Sequence, residues 1–277
     1  MIQYSFILPW HKDDALFRRA VASVPVRDDV ELLTVEDKER KGAGHARNEA
    51  LAKAHGKWLI FIDSDDYFVA DVLELLDRHR DDEADIVYFN QRAEMVCTGA
   101  PSSRVDDKTR LLAAYSGHQE QLDFYCRYCY PEPVGKMVRR ELVERWNIRF
   151  DETSCANDYM FSVLCGLRAE SVAFDPAVLY VLSEREGSVS HDYFESPVKV
   201  EDRLWVYLRV QKLFAAKGIR LYPFSGMWMM CRKAGPGARA IAEEFRRRES
   251  LSRVYILWGC ACRIIRKRLR IGVPFNA

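Results

Sequence analysis

The fold is decided by residues 58–66, Trp58-Leu59-Ile60-Phe61-Ile62-Asp63-Ser64-Asp65-Asp66, where an unbroken apolar run leads into an acidic turn. Continuous apolarity predicts a strand buried on both faces, which is typical of a parallel sheet covered by helices. Ligands of such sheets bind beyond the carboxyl ends of the strands. We therefore expect the acidic turn to lie on a ligand-binding edge.

Strand and helix patterns alternate on both sides of this run. Apolar stretches predict strands over 4–8, 30–35 and 86–89, and helical spacing predicts helices after a cap at Asp13, over 44–55 and over 69–80. Pro9 is expected to end the first strand, because proline cannot continue a central ladder. Residues 1–90 therefore predict an α/β fold of the doubly wound type, with a mostly parallel sheet.

The regular alternation fades after residue 90. Residues 91–195 predict helices interrupted by proline-containing loops, a further helix over 158–167, and strands over 172–174 and 178–182. Residues 196–277 have a mainly helical pattern. We therefore predict three parts, 1–90, 91–195 and 196–277, of which the last is a helical C-terminal region.

Charge is unevenly distributed in this chain of 277 residues, although its net charge is only +1. Residues 231–277 carry 12 basic and 3 acidic side chains, a surplus of +9, which leaves −8 for residues 1–230. The near-zero total argues against a surface built for nucleic acid, so we expect no nucleic acid partner. Residues 253–270 mix apolar and basic side chains, which favours contact with an anionic membrane or, alternatively, packing on the acidic remainder.

Location is suggested by three further features. The N-terminal apolar run stops at Pro9 without a preceding positive segment, so no secretion signal is expected. The apolar stretch 254–262 is well short of the roughly 20 residues that span a bilayer. Eight cysteines are too sparse for a disulfide framework, which indicates a reducing compartment. We expect a cytoplasmic protein, with peripheral contact at the inner face of the membrane as the alternative that the tail allows.

Carboxylates gather at the predicted binding edge. Asp37 ends the second predicted strand, and Asp63, Asp65 and Asp66 follow the third. Such a group repels itself unless a hard divalent cation or a set of donors offsets its charge, and Mg²⁺ or Mn²⁺ bridging a diphosphate fits that need. A solvated acidic loop is the alternative interpretation.

An ordered set of motifs accompanies this turn. They are Ser5-Phe6-Ile7-Leu8-Pro9, Val35-Glu36-Asp37, Ala46-Arg47-Asn48, and the run from Ala54 through Gly56 to Asp66. Together they resemble the inverting family 2 glycosyltransferases of GT-A fold, and the Asp-Ser-Asp spacing is similar to that family's DXD motif. Weaker matches at 134–136, 147–151, 157–161 and 185–190 look like the acceptor half of bacterial lipopolysaccharide or capsule enzymes.

The resemblance implies roles for individual residues. It places the donor nucleotide at Pro9, Trp10, His11, Asp37, Arg47, Asp63, Ser64 and Asp65, with Asp37 at the base and Arg47 near it, and it places the metal at Asp65 and Asp66. It makes Asp158 the base that deprotonates the acceptor hydroxyl. Residues 1–90 would then bind the nucleotide sugar, with a UDP-sugar as the expected donor, and 91–195 would face a glycan or lipid-linked acceptor.

Departures from the family's pattern leave alternatives open. Only nine residues separate Asp37 from Arg47, where the family has a longer stretch, and Asn157 stands where it usually has glutamate. A nucleotide-sugar-binding scaffold protein without turnover is the main rival function. A nucleotidyltransferase is disfavoured, because the first strand is followed by Pro9-Trp10-His11-Lys12 rather than by a glycine-rich basic loop.

Overall fold

The computed structural model describes residues 1–115, 117–185, 194 and 196–269, and it places the apolar run in a strand between two buried neighbours. The strands are β1 (Tyr4–Trp10), β2 (Val30–Glu36), β3 (Trp58–Phe61), β4 (Tyr67–Phe68), β5 (Ile86–Met95), β6 (Pro101–Ser102), β7 (Lys136–Arg139) and β8 (Val172–Glu184). Within the described residues they form one sheet in the order β2-β1-β3-β7-β5-β8-β4, with β6 paired to β5.

Helices cover this sheet and continue beyond it. They are α1 (Ala15–Ser23), α2 (Ala43–Leu51), α3 (Val72–Asp77), α4 (Asp106–Tyr115), α5 (Gln119–Cys129), α6 (Arg140–Arg145), α7 (Tyr159–Arg168), α8 (Pro197–Ala216), α9 (Pro223–Ala234), α10 (Pro236–Arg248) and α11 (Arg253–Leu269). The chain divides into two compact units, one of residues 1–152 and 161–186, the other of residues 153–160 and 187–277. The boundary predicted near residue 90 lies inside β5.

The sheet is more mixed than the sequence predicted. The pairs of β1 with β2 and with β3 are parallel, as expected, and β5 is parallel to β8. However, β7 enters between β3 and β5 and is antiparallel to both, and β4 is antiparallel to β8. An apolar run indicates burial but carries no information about strand direction, which explains the difference.

The first strand does not end at Pro9, contrary to the prediction. Pro9 lies within β1 and is aligned with Val35 of β2. The ring nitrogen of Pro9 and the carbonyl of Ile7 both face the side of β1 on which β3 lies. The last hydrogen bond between the two strands on that side runs from Ile62 N to Ile7 O, at 3.1 Å. Since β3 has already ended, no hydrogen bond is lost at Pro9.

Other boundaries moved by a few residues. Asp14 rather than Asp13 caps α1, accepting hydrogen bonds from Leu16 N and Phe17 N. The third helix begins later than predicted, at Val72, because Val69 N still donates to Leu179 O of β8, and it ends at Asp77. The two short strands predicted after residue 170 are one strand, β8, whose pairing with β5 is irregular around Asn90.

A glycine lets the turn before β3 lie against β1. A Cβ atom at Gly56 would stand 2.6 Å from the backbone N of Ser5 and 2.8 Å from the carbonyl carbon of Tyr4. Gly56 N also donates to Ser5 Oγ at 2.8 Å, and Ser5 Oγ donates to Glu31 at 2.6 Å. The position therefore fixes how β1, β2 and β3 come together.

The second unit has a helical core of its own. Buried side chains of α8, α9, α10 and α11 form one cluster, with Phe224, Trp228 and Phe245 among its largest members. This agrees with the helical C-terminal region that the sequence predicted.

Gly56→Ala should destabilise the first unit, because backbone atoms, which cannot turn aside, occupy the space of the added methyl group. We expect a loss of about 1–3 kcal/mol in the free energy of unfolding, measured by denaturant titration. Gly117→Ala is the matched control, since a Cβ atom there meets nothing within 4 Å. Equal stability of the two variants would contradict the close approach at Gly56.

Candidate active site

Most of the predicted donor residues lie at one edge of the sheet, where β2, β1 and β3 end side by side. Asp37 N donates to Trp10 O at 2.7 Å, which joins the ends of the first two strands. Asp63 follows Ile62 at the end of β3. The rule that parallel strands share a carboxyl edge therefore correctly predicted this grouping.

The carboxylate of Asp37 closes the loop that leads into α2. Its two oxygens accept hydrogen bonds from Lys41 N at 2.7 Å and Gly42 N at 2.8 Å. Arg40, inside the loop, has a φ of 53°, and Gly42 has a φ of 96°. Asp37 thus holds a tight turn that makes up for the short spacing to Arg47.

The three residues at the end of β1 differ in exposure. Pro9 is buried, Trp10 is half-buried and His11 is exposed. The Trp10 ring stacks on Phe17 of α1, with centroids 4.6 Å apart and an interplanar angle of 23°. Trp10 therefore has a fixed position, and the exposed His11 follows it at this edge of the sheet.

Arg47 on α2 binds the first carboxylate of the acidic turn. Its guanidinium donates to Asp63 Oδ1 at 2.6 Å and lies over the Phe150 ring, 5.3 Å from the centroid. The next residue, Asn48, exchanges two hydrogen bonds with the backbone of Phe150, at 2.9 and 3.0 Å. The Arg47-Asn48 pair therefore links α2 both to the turn and to the chain near residue 150.

The last carboxylate of the turn, Asp66, is buried, with 4% of its surface exposed. Its Oδ1 accepts from Ser183 N at 2.7 Å, and its Oδ2 accepts from Tyr180 Oη at 2.9 Å. The same Tyr180 hydroxyl accepts from Asp63 N at 2.9 Å. The sequence predicted Asp65 and Asp66 as a pair of metal ligands on an open edge, whereas the structure turns Asp66 inward onto β8.

Asp65 and Asp63 are the carboxylates that the turn leaves partly accessible, with 37% and 39% of their side chains exposed. Arg185 Nη2 donates to Asp65 Oδ2 at 3.0 Å. The guanidinium of Arg19 on α1 also holds the turn. It donates to the backbone carbonyl of Asp65 at 3.2 Å and to Ser183 Oγ at 2.6 Å. Ser64, between the two outer carboxylates, is half-buried.

The pKa values of two carboxylates of the turn are raised. Burial, followed by the charges of Asp65 and Asp63, raises the pKa of Asp66 well above its ordinary value. Burial and the charge of Asp63 also raise the pKa of Asp65, although Arg185 opposes this. The arginines around the turn therefore do not fully offset its negative charge.

A metal at this edge would have few protein ligands. Among the described residues, no group of three or more His, Cys, Asp or Glu side chains is arranged to hold a metal ion. Asp65 offers a hard oxygen donor, and Mg²⁺ is commonly held in proteins by one or two carboxylates together with substrate phosphates. The carboxylate oxygens of Asp65 are therefore suitable ligands for such an ion.

Asp158 belongs to the second unit, in a short segment that precedes α7. Ser154 N and Oγ both donate to Asp202 Oδ2 on α8, at 2.8 and 2.6 Å, and Tyr159 packs edge-on against Tyr207. Ala156 has a φ of 54°, in the left-handed region that non-glycine residues rarely adopt. Strained conformations of this kind often accompany functional sites. The segment that presents Asp158 is thus held by α8 in a specific conformation.

Sequence reasoning missed several residues that hold the predicted site residues of each unit in place. Tyr180, Ser183 and Arg19 hold the acidic turn, and Asp202 holds the segment of Asp158. Tyr180 and Ser183 stand three apart in a strand, so no periodic pattern marks them as partners of a turn far away in the chain. Arg185 was included only as part of a motif whose other residues, 186–190, lie outside the described part of the chain.

Residues 22–153 match the sequence profile of the family described as Glycosyl transferase family 2. The chain is 30% identical over 151 residues to the putative glycosyltransferase EpsH of Bacillus subtilis (strain 168), covering 51% of this chain and 42% of EpsH. It is 27% identical over 182 residues to the succinoglycan biosynthesis protein ExoO of Rhizobium meliloti (strain 1021), covering 61% of this chain and 49% of ExoO. The chain therefore spans about half the length of these curated relatives.

Solved structures show the same fold. Staphylococcus aureus TarS in complex with UDP-GlcNAc superposes with a TM-score of 0.54 at 18% identity, covering 75% of this chain and 66% of that one. The mannosyltransferase PcManGT of Pyrobaculum calidifontis, in complex with GDP-Man and Mn²⁺, superposes with a TM-score of 0.52 at 16% identity, covering 93% and 83%. Residues 22–153 thus match the model of this family, and the chain has a GT-A fold, so the resemblance and the predicted fold class are both confirmed.

Within the described ranges, no helix is both long enough and apolar enough to cross a bilayer.

Tyr180→Phe should destabilise the protein, because it removes the donor to Asp66 and leaves Asp63 N without its acceptor. We expect a loss of about 1–3 kcal/mol in the free energy of unfolding. The control is Tyr88→Phe, because the Tyr88 hydroxyl is buried with no hydrogen-bond partner among the described residues. That variant should be neutral or slightly stabilising, and a similar loss in both would contradict the role of Tyr180.

Proposed function

We propose that this protein is an inverting glycosyltransferase that moves a sugar from a nucleoside diphosphate donor, expected to be a UDP-sugar, to a growing bacterial surface glycan. The observation that carries the proposal is the acidic turn at the carboxyl edge of the sheet, with Asp65 accessible and its neighbours held by Arg47 and Tyr180. The match of residues 22–153 to the model of this family supports it. Lipopolysaccharide, capsule and exopolysaccharide are the acceptor classes we consider.

The donor would lie along the ends of β2, β1 and β3. Asp37 and the loop that it closes would meet the base, with Arg47 nearby, and Trp10 and His11 would form the wall beside Pro9. Asp63 and Ser64 would face the ribose, and Arg185 has the charge and planar shape that suit the diphosphate. The complexes of TarS with UDP-GlcNAc and of PcManGT with GDP-Man support a nucleotide-sugar donor.

Asp65 would hold Mg²⁺ or Mn²⁺ beside the diphosphate, while Asp66 supports the turn from within. The PcManGT complex with Mn²⁺ supports this assignment, as do the raised pKa values of Asp65 and Asp66. When bound, such an ion offsets the negative charge that grows on the leaving diphosphate.

Asp158 would accept the proton of the acceptor hydroxyl as that oxygen attacks the anomeric carbon. A single displacement of this kind inverts the anomeric configuration. The acceptor would be a glycan, free or attached to a lipid. A lipid-linked acceptor would bring the enzyme to the cytoplasmic face of the membrane as a peripheral protein.

Donor binding can be tested by titration calorimetry with a panel of nucleotide sugars, with and without Mn²⁺. Asp65→Asn should weaken Mn²⁺-dependent binding of the donor by at least about tenfold, because it removes the negative charge of the side chain that would bind the metal. Asp71→Asn is the control, since Asp71 is an exposed carboxylate of the same unit whose side chain makes no capping hydrogen bond. Unchanged metal dependence in the Asp65 variant would refute the metal assignment.

Catalysis is tested separately with Asp158→Asn. We expect near-normal donor affinity and a turnover lower by roughly two to four decades, the usual contribution of a positioned general base. Turnover is followed as nucleoside diphosphate release with a panel of acceptor oligosaccharides. If Asp151→Asn rather than Asp158→Asn abolishes turnover, the base is misassigned. Donor binding without turnover on any acceptor would favour the scaffold function.

A further inference from the structure

The last helix of the second unit, α11, packs closely on α9 through one of its faces. Ile256 and Cys260 are buried there, and Cys260 Sγ lies 3.2 Å from Ser225 O. A Cβ atom at Gly259 would stand 2.2 Å from Ser225 Oγ, so a small residue is required at the crossing. This face is part of the core of the unit.

The opposite face of α11 is apolar and exposed. Val254, Leu257, Trp258 and Ile264 have 76%, 53%, 64% and 44% of their surface exposed. At 100° per residue these four positions fall within an arc of about 120°, opposite the packed positions. The exposed residues therefore form one continuous stripe, which we call the apolar stripe.

Exposure of this kind is concentrated on α11. Of the eleven large hydrophobic side chains that are exposed in the described part of the chain, five belong to this single helix, namely the apolar stripe and Tyr255. Scattered exposed hydrophobic residues need no explanation, but a contiguous group usually marks an interaction surface. The stripe is therefore a candidate for contact with a partner.

The charges around the stripe decide which partner fits. Residues 231–277 carry a surplus of +9, and Glu243, one of only three acidic residues there, already accepts from both Arg246 and Arg253, at 3.0 and 3.2 Å. Arg263 adds positive charge on the packed side of α11, where its guanidinium lies against Gly226 of α9. The helix thus lies in positive surroundings that its acidic neighbours do not neutralise.

We propose that the apolar stripe of α11 docks on an anionic lipid bilayer, with Trp258 and Leu257 in the headgroup region and with the surplus positive charge of residues 231–277 attracting the lipid phosphates. An amphipathic helix that combines apolar and basic residues is suited to this interface, and tryptophan is favoured at the level of the headgroups. A second copy of the chain fits less well, because a symmetric contact would bring two segments of +9 together. The proposal does not depend on glycosyl transfer, since it concerns binding without donor or acceptor.

The proposal combines the two alternatives that the sequence left open for the tail, packing on the protein and contact with a membrane. The described part of α11 packs on its own unit through one face and leaves the other free for a membrane. The predicted contribution of Arg266, Lys267 and Arg268 concerns side chains outside the described part of the structure, as does that of Arg270. The proposal therefore rests on residues 253–264.

The test is co-sedimentation of the full chain with vesicles, without nucleotide sugar. Vesicles of equal parts phosphatidylglycerol and phosphatidylcholine should bind the protein, vesicles of phosphatidylcholine alone should bind it much less, and high salt should weaken the binding. Leu257→Glu/Trp258→Glu should lower the partition coefficient by at least about tenfold, because it places charge in the apolar stripe.

The matched control is Val198→Glu/Trp205→Glu on α8 of the same unit, where both side chains are exposed, by 62% and 41%. It changes the net charge by the same amount, so it should bind vesicles far better than the stripe variant. Equal loss in both variants, or no binding to phosphatidylglycerol vesicles by the unaltered chain, would overturn the proposal. So would a dimer of the unaltered chain in sedimentation velocity that only the stripe variant abolishes. An unchanged circular dichroism spectrum and unfolding midpoint of the stripe variant check that it is folded.

Discussion

Three carboxylates crowd into one turn at the carboxyl end of β3, and the need to hold them there constrains much of the first unit. Each is stabilised differently: Asp63 by the guanidinium of Arg47, Asp66 by a backbone amide and a tyrosine hydroxyl of β8, and Asp65 by Arg185 near the solvent. Burial, followed by the like charges of the neighbouring carboxylates, raises the pKa of Asp65 and of Asp66. The turn is therefore ready to receive positive charge.

The elements around the turn can be understood from this requirement. Helix α2 must approach β3 closely enough for Arg47 to reach Asp63, and Asp37 closes the tight loop that allows it. Strand β8 must lie in a register that brings Tyr180 and Ser183 to Asp66. Because buried polar groups are costly when unpaired, this arrangement can be held only if both elements are correctly placed.

The second unit contributes by a different physical principle. Its helices bury an apolar core, and α8 uses Asp202 to fix the segment that carries Asp158. One face of its last helix, α11, lies in the core of the unit. The other face is apolar and exposed, in a segment of the chain with surplus positive charge. The two units thus combine a site of fixed charges with a helix suited to a charged interface.

The sequence by itself determined the α/β class and the position of the acidic turn at the same edge of the sheet as Asp37. These follow from local apolar runs and from the rule that parallel strands end at a common edge. Only the tertiary structure decided the antiparallel entry of β7, the inward turn of Asp66, and which face of α11 is buried. The contacts that hold Asp66 join residues 114 and 117 positions apart. Local periodicity encodes burial and secondary structure, whereas such distant partners depend on strand register and helix packing.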